Sequence, residues 1–332
     1  MGGKYSISAL IITYNEERCI NRAIKSILNI VDEIVVIDTY STDNTVEIAL
    51  LFPLVKVFYK EWNNDFSEVR NYGLSKLSNK WCLIIDADEV FSSLLDFKKT
   101  IKTLNTNISY CPVIENVNDF NVYNIPRLFY VKDKDRYIGC VHEYLFRSSY
   151  NIKNTEIFTL FHDGYEENIY ASKFKFERNK FLIEKQLQEE PLSIRWHYYN
   201  YKYTTSDNEK RLVFEFFSKI PVPFERESEV YCINIFVLKV LFLIQNNKFC
   251  EAYFEINRLI KHYDSSKQLL YLDLLSGFNI MNGHIYGRKL NLNIKYKLLC
   301  LDKLCDDKFI YFKPSNADIL KLKYEINEFY SK

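Results

Sequence analysis

Trp81-Cys82-Leu83-Ile84-Ile85-Asp86-Ala87-Asp88-Glu89 is a short apolar run that breaks into three acids within four positions. Such a run, bounded by polar residues, reads as a strand buried on both faces. Alternate residues of an extended strand end point the same way. Asp86 and Asp88 can therefore aim both carboxylates to one side, where a divalent cation bridging two phosphates would want hard oxygen ligands. Two acids after a strand can equally be a solvated turn or a helix cap, so the surroundings decide.

Upstream, a strand, loop and helix unit repeats. Ser8 to Ile12 is continuously apolar, and Ile20, Ala23, Ile24, Ile27 and Leu28 then recur at helical spacing. Glu33 to Ile37 reads as a second buried strand, with Thr42 or Asp43 capping a helix that carries Val46, Ala49 and Leu50. Val55 to Tyr59 alternates as a strand, and Ser67 to Leu77 forms a helix with Val69, Leu74 and Leu77 inward. Strands alternating with helices in this way predict an α/β domain with a mostly parallel sheet and a ligand crevice at the carboxyl ends of the strands. Asp38 ends the second strand and Thr13-Tyr14-Asn15-Glu16 follows the first, so three strand ends deliver polar groups to one edge. No G-x-G-x-x-G or Walker loop follows the first strand, which argues against a dinucleotide oxidoreductase or a P-loop phosphotransferase.

Taken in order, Ile11-Ile12-Thr13-Tyr14-Asn15-Glu16-Glu17, Val35-Val36-Ile37-Asp38-Thr39-Tyr40-Ser41-Thr42-Asp43-Asn44-Thr45, Phe66 with Arg70-Asn71, and Asp86-Ala87-Asp88-Glu89 resemble a family-2 glycosyltransferase with the GT-A fold. Gly139-Cys140-Val141-His142-Glu143 and Phe161-His162-Asp163-Gly164-Tyr165, followed by a helical region, are similar to the peptide S-glycosyltransferases that modify glycocin bacteriocins of the sublancin and glycocin F type. The resemblance implies that Thr13, Tyr14, Asn15, Glu16 and Asp38 line a uridine pocket. Arg70 reaches the base or the phosphates, Asp86 with Ala87 lies near the ribose, and Asp88 holds Mg²⁺ or Mn²⁺. The metal would offset charge on the departing UDP.

His142-Glu143 supplies a further pair: a neutral imidazole can be a metal ligand, and a carboxylate near the acceptor can take its proton in a single inverting displacement. His142 is accordingly assigned with Asp88 to the metal or diphosphate, and Glu143 to the base. Asp88, Glu89 and Glu115 stand as alternative bases, and His162 as either a substrate contact or a turn residue. If the acceptor is a cysteine thiol, with a pKa of about 8.5, base strength matters less than for a hydroxyl.

The rest of the chain fits two domains. From about Tyr110 to Tyr165 the pattern shifts to shorter extended pieces. Beyond it lie amphipathic stretches at Lys173 to Glu189, Arg211 to Phe217, Tyr231 to Gln245 and Phe249 to Tyr263. We expect a GT-A catalytic domain over residues 1–168. An all-α, tetratricopeptide-like domain over 169–332 would bind the acceptor or form a homodimer. The aromatic series Trp196, Tyr198, Tyr199, Tyr201 and Tyr203 reads as packing between helices.

Lys plus Arg number 44 against 43 Asp plus Glu, a balance that gives no reason to expect nucleic acid as a partner. The longest apolar stretch, Tyr231 to Ile244, is too short to cross a bilayer, and the eight dispersed cysteines read as reduced thiols of a cytoplasmic protein, Cys300 and Cys305 included. The expected function is transfer of glucose or N-acetylglucosamine from a UDP-sugar to a cysteine, or a serine, of a small precursor peptide. Two rivals are a glycosyltransferase acting on a cell-envelope saccharide or lipid-linked glycan, and a non-catalytic helical-repeat scaffold. The intact Asp86 and Asp88 argue against the scaffold.

Overall fold

The structure, a computed structural model, describes residues 5–117, 121–147, 151–162, 175–225, 229–263, 266–283, 294–301, 303–304, 312 and 314–331. Asp163, Gly164, Tyr165 and Cys305 lie outside the described residues. The chain divides into two compact units, Met1–Gln188 and Glu189–Lys332.

In the first unit β1 (Ile7–Thr13), α1 (Ile20–Ile27), β2 (Glu33–Asp38), α2 (Thr45–Ala49), β3 (Val55–Tyr59), α3 (Phe66–Leu74) and β4 (Trp81–Ile84) alternate as the apolar spacing predicts. These four strands pair in parallel in the order β3-β2-β1-β4. Every residue of β2 and β4 is buried, as expected of strands covered on both faces. Helix α1 turns Ile20, Ala23, Ile24 and Ile27 into the core, and Asp65 caps α3 by accepting from the Glu68 amide. Within α3, a Cβ added at Gly73 would lie 2.5 Å from Leu10 Cδ1 and 3.1 Å from Ile37 Cγ1, so this helix sits unusually close on β1 and β2.

The remaining strands extend the sheet to eight in the order β3-β2-β1-β4-β7-β6-β10-β5. They are β5 (Glu89–Ser92), β6 (Ser109–Asn116), β7 (Leu128–Tyr130) and β10 (Ile152–His162), with the short α4 (Phe97–Thr100) between β5 and β6. The sheet is mixed: β7 runs antiparallel to β4 and to β6, and β5 antiparallel to β10. Because β6 and β10 are parallel to each other, the carboxyl ends of β1, β2, β3, β4, β6 and β10 all emerge at one edge. A separate hairpin pairs β8 (Arg136–Ile138) with β9 (Tyr144–Phe146). Strand β10, at eleven residues, is longer than the short extended pieces expected for this region.

Helix α5 (Lys175–Glu189) packs with the first unit. The Cys140 amide donates to Gln186 Oε1 at 3.1 Å, the Cys140 thiol to the Leu182 carbonyl at 3.2 Å, and Arg178 lies over the Phe66 ring. The first unit therefore ends after Gln188 rather than near residue 168.

The second unit is helical: α6 (Ile194–Tyr203), α7 (Asp207–Ser218), α8 (Glu229–Gln245), α9 (Phe249–Ile260), α10 (Lys267–Gly283), α11 (Ile294–Leu301) and α12 (Asn316–Ser331). Phe217, Phe236, Val240, Ile256 and Leu272 share one core, and α9 packs on both α8 and α10. Tyr198 and Tyr199 pack at this core and Trp196 is buried, so the aromatic series does serve helix packing. None of the seven described cysteines forms a disulfide with another described residue, and no described helix is long and apolar enough to cross a membrane.

Candidate active site

The loops after β1 and β2 are fastened to each other. The Asn15 amide donates to Ser41 Oγ at 2.9 Å, Asn15 Oδ1 accepts from the Thr42 amide at 2.7 Å, and the Glu16 amide donates to Thr45 Oγ1 at 2.7 Å. Asp38 is fully buried, and its two oxygens accept from the Ser41 hydroxyl at 2.6 Å and the Ser41 amide at 3.0 Å. Thr13, Asn15, Glu16 and Asp38 are thus brought together, with Tyr14 exposed beside them. The Glu16 carboxylate accepts from the Cys19 thiol at 2.9 Å; burial, reinforced by that bond, pushes the thiol pKa up and keeps it protonated. Thr13 Oγ1 is buried with no hydrogen-bond partner.

Around β4 the acids meet two buried arginines. Arg70, on α3, donates from Nη2 to Asp86 Oδ1 at 2.9 Å and from Nε to Glu143 Oε1 at 2.5 Å, and its guanidinium lies 5.6 Å from the centre of the Tyr137 ring. Arg127, immediately before β7, donates to Asp86 Oδ2 at 2.9 Å and to Glu89 Oε1 at 2.6 Å. Burial opposes the charge on Asp86, but Arg127 and Arg70 outweigh it and hold its carboxyl well below the usual carboxylate range. Glu89 behaves in the opposite way: burial, with the negative charge of Asp86 added, pushes it up to about 7 despite Arg127. Glu89 is only 1% exposed, and its oxygens are engaged by Arg127 and the Asp86 amide. Arg70 Nη1 and Arg127 Nε are buried donors without a protein partner.

Asp88 faces an imidazole, and it is that of His162, not His142. His162 Nε2 lies 3.2 Å from Asp88 Oδ2, while Nδ1 lies 2.8 Å from Asn116 Oδ1 across the β6–β10 register. Burial opposes protonation of His162, yet the Asp88 hydrogen bond overcomes it and raises its pKa; Asp88 is correspondingly lowered although it too is buried. His142 sits in a left-handed turn, φ 50°, directly before Glu143.

Among the described residues no three His, Cys, Asp or Glu side chains gather into a metal cage. Asp88 and His162 still suit a divalent ion carried by a diphosphate, because Mg²⁺ is commonly held by one or two protein donors plus phosphate oxygens and water. With Asn116 Oδ1 accepting from Nδ1–H, the Nε2–H of the protonated imidazole donates to Asp88 Oδ2, and loss of that proton would leave the Nε2 lone pair free for an ion beside Asp88. Sequence reasoning passed over Arg127, Asn116 and Tyr137 and left His162 ambiguous. Arg127 had one signal, a permanent cation entering an apolar strand (Arg127-Leu128-Phe129), since a buried Arg requires carboxylate partners.

A strand-edge site of this construction, on this mixed sheet followed by a helical region, is that of a GT-A-type glycosyltransferase. The chain belongs to glycosyl transferase family 2, whose profile matches residues 8–180. It is 31% identical over 199 residues to the SPbeta prophage-derived glycosyltransferase SunS of Bacillus subtilis, a match covering 58% of this chain and 47% of that one. An uncharacterized glycosyltransferase of Rickettsia felis is 40% identical over 122 residues, covering 37% of this chain and 39% of the relative. The matched regions thus span less than half the length of these relatives. The crystal structure of S. aureus TarS 1-349 aligns over 89% of this chain and 90% of that one, at 15% identity and a TM-score of 0.36, too distant to carry an argument.

Proposed function

We propose that the chain is an inverting, metal-dependent glycosyltransferase that moves glucose or N-acetylglucosamine from a UDP-sugar to a cysteine of a small ribosomal peptide. The observation that carries this reading is the convergence of Asp86, Asp88, His162, Arg70 and Glu143 at the carboxyl edge of one sheet. The likeness to SunS and the resemblance to peptide S-glycosyltransferases support a peptide acceptor.

In this reading Thr13, Asn15, Glu16 and Asp38 shape the nucleoside pocket, and Arg70 balances the diphosphate. Asp88 and His162 hold Mg²⁺ or Mn²⁺, which when bound offsets the charge on the leaving UDP. Glu143 receives the acceptor proton as the sulfur–carbon bond forms on one face of the anomeric carbon. The carbon–oxygen bond to UDP breaks on the other, the oxygen keeping the electron pair. The second unit binds the peptide or a second copy of the chain.

Mass spectrometry of a cysteine-containing candidate peptide, incubated with the protein, Mg²⁺ and a panel of UDP-sugars, tests the proposal with Asp88→Ala as control. A hexose or N-acetylhexosamine mapped to cysteine, and lost in the variant, is the expected result. UDP-sugar hydrolysis without peptide modification would overturn the peptide acceptor, and no turnover with any UDP-sugar would overturn the donor assignment.

A further inference from the structure

The hairpin that leads into Glu143 stands apart from the eight-stranded sheet: among the described strands β8 and β9 pair only with each other, through Arg136↔Phe146, Tyr137↔Leu145 and Ile138↔Tyr144. Two such short strands do not hold a fixed position by themselves. Helix α3 supplies the anchor. Asn71 Nδ2 donates to the Tyr137 carbonyl at 2.9 Å and Asn71 Oδ1 accepts from the Tyr137 amide at 2.7 Å, so one side chain satisfies both backbone groups of Tyr137 as a neighbouring strand would. Earlier on the same helix the Phe66 amide donates to the Cys140 carbonyl at 2.9 Å, and Arg70 donates to Glu143 Oε1, leaving Oε2 to accept a proton. His142, directly before Glu143, is held at φ 50°, a conformation that persists only where the surroundings fix it.

We propose that Asn71 is a positioning residue for proton removal from the acceptor: its side-chain amide fixes β8 against α3 and thereby the aim of Glu143; this rests on the transferase reading above. Arg70 does not do this alone. Asp86 claims the same guanidinium through Nη2, so the ion pair sets how Glu143 lies relative to Asp86 and not where the hairpin backbone runs. That backbone is held by a neutral amide, which places Glu143 without adding a charge that would depress its basicity. A general base works only within hydrogen-bond reach of the proton it takes, and a displacement of about 1 Å costs on the order of 100-fold in rate.

Transfer to a cysteine peptide, measured across pH on the full chain, tests this with Asn71→Ala, Asn71→Asp, Glu143→Gln and the double variant Asn71→Ala with Glu143→Gln. At about pH 6, where a free thiol is almost wholly protonated, Asn71→Ala is expected to lower kcat about 10–100-fold, with the affinity for UDP, read by calorimetry, unchanged. Asn71→Asp keeps the bond from the Tyr137 amide and loses the one to its carbonyl, so it should fall between. The deficit should shrink as pH rises toward about 8.5, where the acceptor supplies its own thiolate. In the Glu143→Gln background Asn71→Ala should add nothing, because one residue acts through the other. Should Asn71→Ala lose UDP binding through misfolding, Asn71→Asp carries the same comparisons. Wild-type kcat in Asn71→Ala, a deficit equal at every pH, or one that multiplies with that of Glu143→Gln would overturn the positioning role and leave the transferase standing. Full activity of Glu143→Gln at about pH 6 would overturn the base and the role of Asn71 with it. No transfer by the wild type to any cysteine peptide would overturn the peptide-transferase reading as well.

Discussion

Arg127 Nη2 lies 2.9 Å from Asp86 Oδ2 while the other oxygen of the same carboxylate is held by Arg70. Asp86 is thereby held from both sides, so the two acids of the motif have separate surroundings. Asp86 is a pinned anion between guanidinium groups, and Asp88 faces an imidazole.

The clamp predicts the behaviour of Arg127 variants. Removing the guanidinium in Arg127→Ala strands Glu89, whose side chain is 2% exposed, and should cost about 3–5 kcal/mol, as for other buried pairs broken on one side. The double variant Arg127→Met with Glu89→Gln should recover much of that loss. Chemical denaturation of the single and double variants checks it, and equal destabilisation in both would argue against the clamp.

Asn116 should matter without touching substrate. It orients His162 through Nδ1, so Asn116→Ala is expected to raise the Mg²⁺ or Mn²⁺ concentration needed for half-maximal turnover about 10–100-fold. Thermal stability should change little by comparison. A metal titration of turnover reads the effect directly, and a lowered kcat with an unchanged metal requirement would refute the role.

Gly73 should resist substitution. Alanine is the better helix former, but its Cβ would meet Leu10 and Ile37 side chains in a sealed core, so Gly73→Ala should destabilise the protein by about 1–2 kcal/mol. Urea unfolding checks this, and a stabilised variant would mean that α3 does not pack so closely.

Acid stability should show the signature of Glu33. This buried carboxylate accepts from Lys56 at 2.8 Å, Ser8 at 2.5 Å and the Ser78 amide at 2.8 Å; burial opposes its charge, yet these bonds bring its pKa down to about 2. The unfolded value is about 4.3, so the folded state binds fewer protons. Its contribution, on the order of 3 kcal/mol, is full above pH ~4.3 and fades as pH falls toward about 2. Glu33→Gln should flatten the stability profile in that window, as measured by thermal melts across pH.

The sequence by itself determined the first four strands and their helices, because apolar runs bounded by polar turns leave little choice of element or face. It also placed Thr13, Asn15, Asp38, Asp86 and Asp88 at one edge, since parallel strands must present their carboxyl ends together. Only the tertiary structure decided that His162 rather than His142 meets Asp88, and that Arg127 joins Asp86 to Glu89. Those contacts join residues 38 to 74 positions apart, through a sheet order in which β7, β6 and β10 follow β4 in space but not in sequence. The boundary shifted for the same reason. Helix α5 has an amphipathic pattern that states its buried face but not its partner, and the partner is Cys140 of the first unit. Periodicity records how a segment meets a core, whereas pairing across the fold depends on which other segments arrive there.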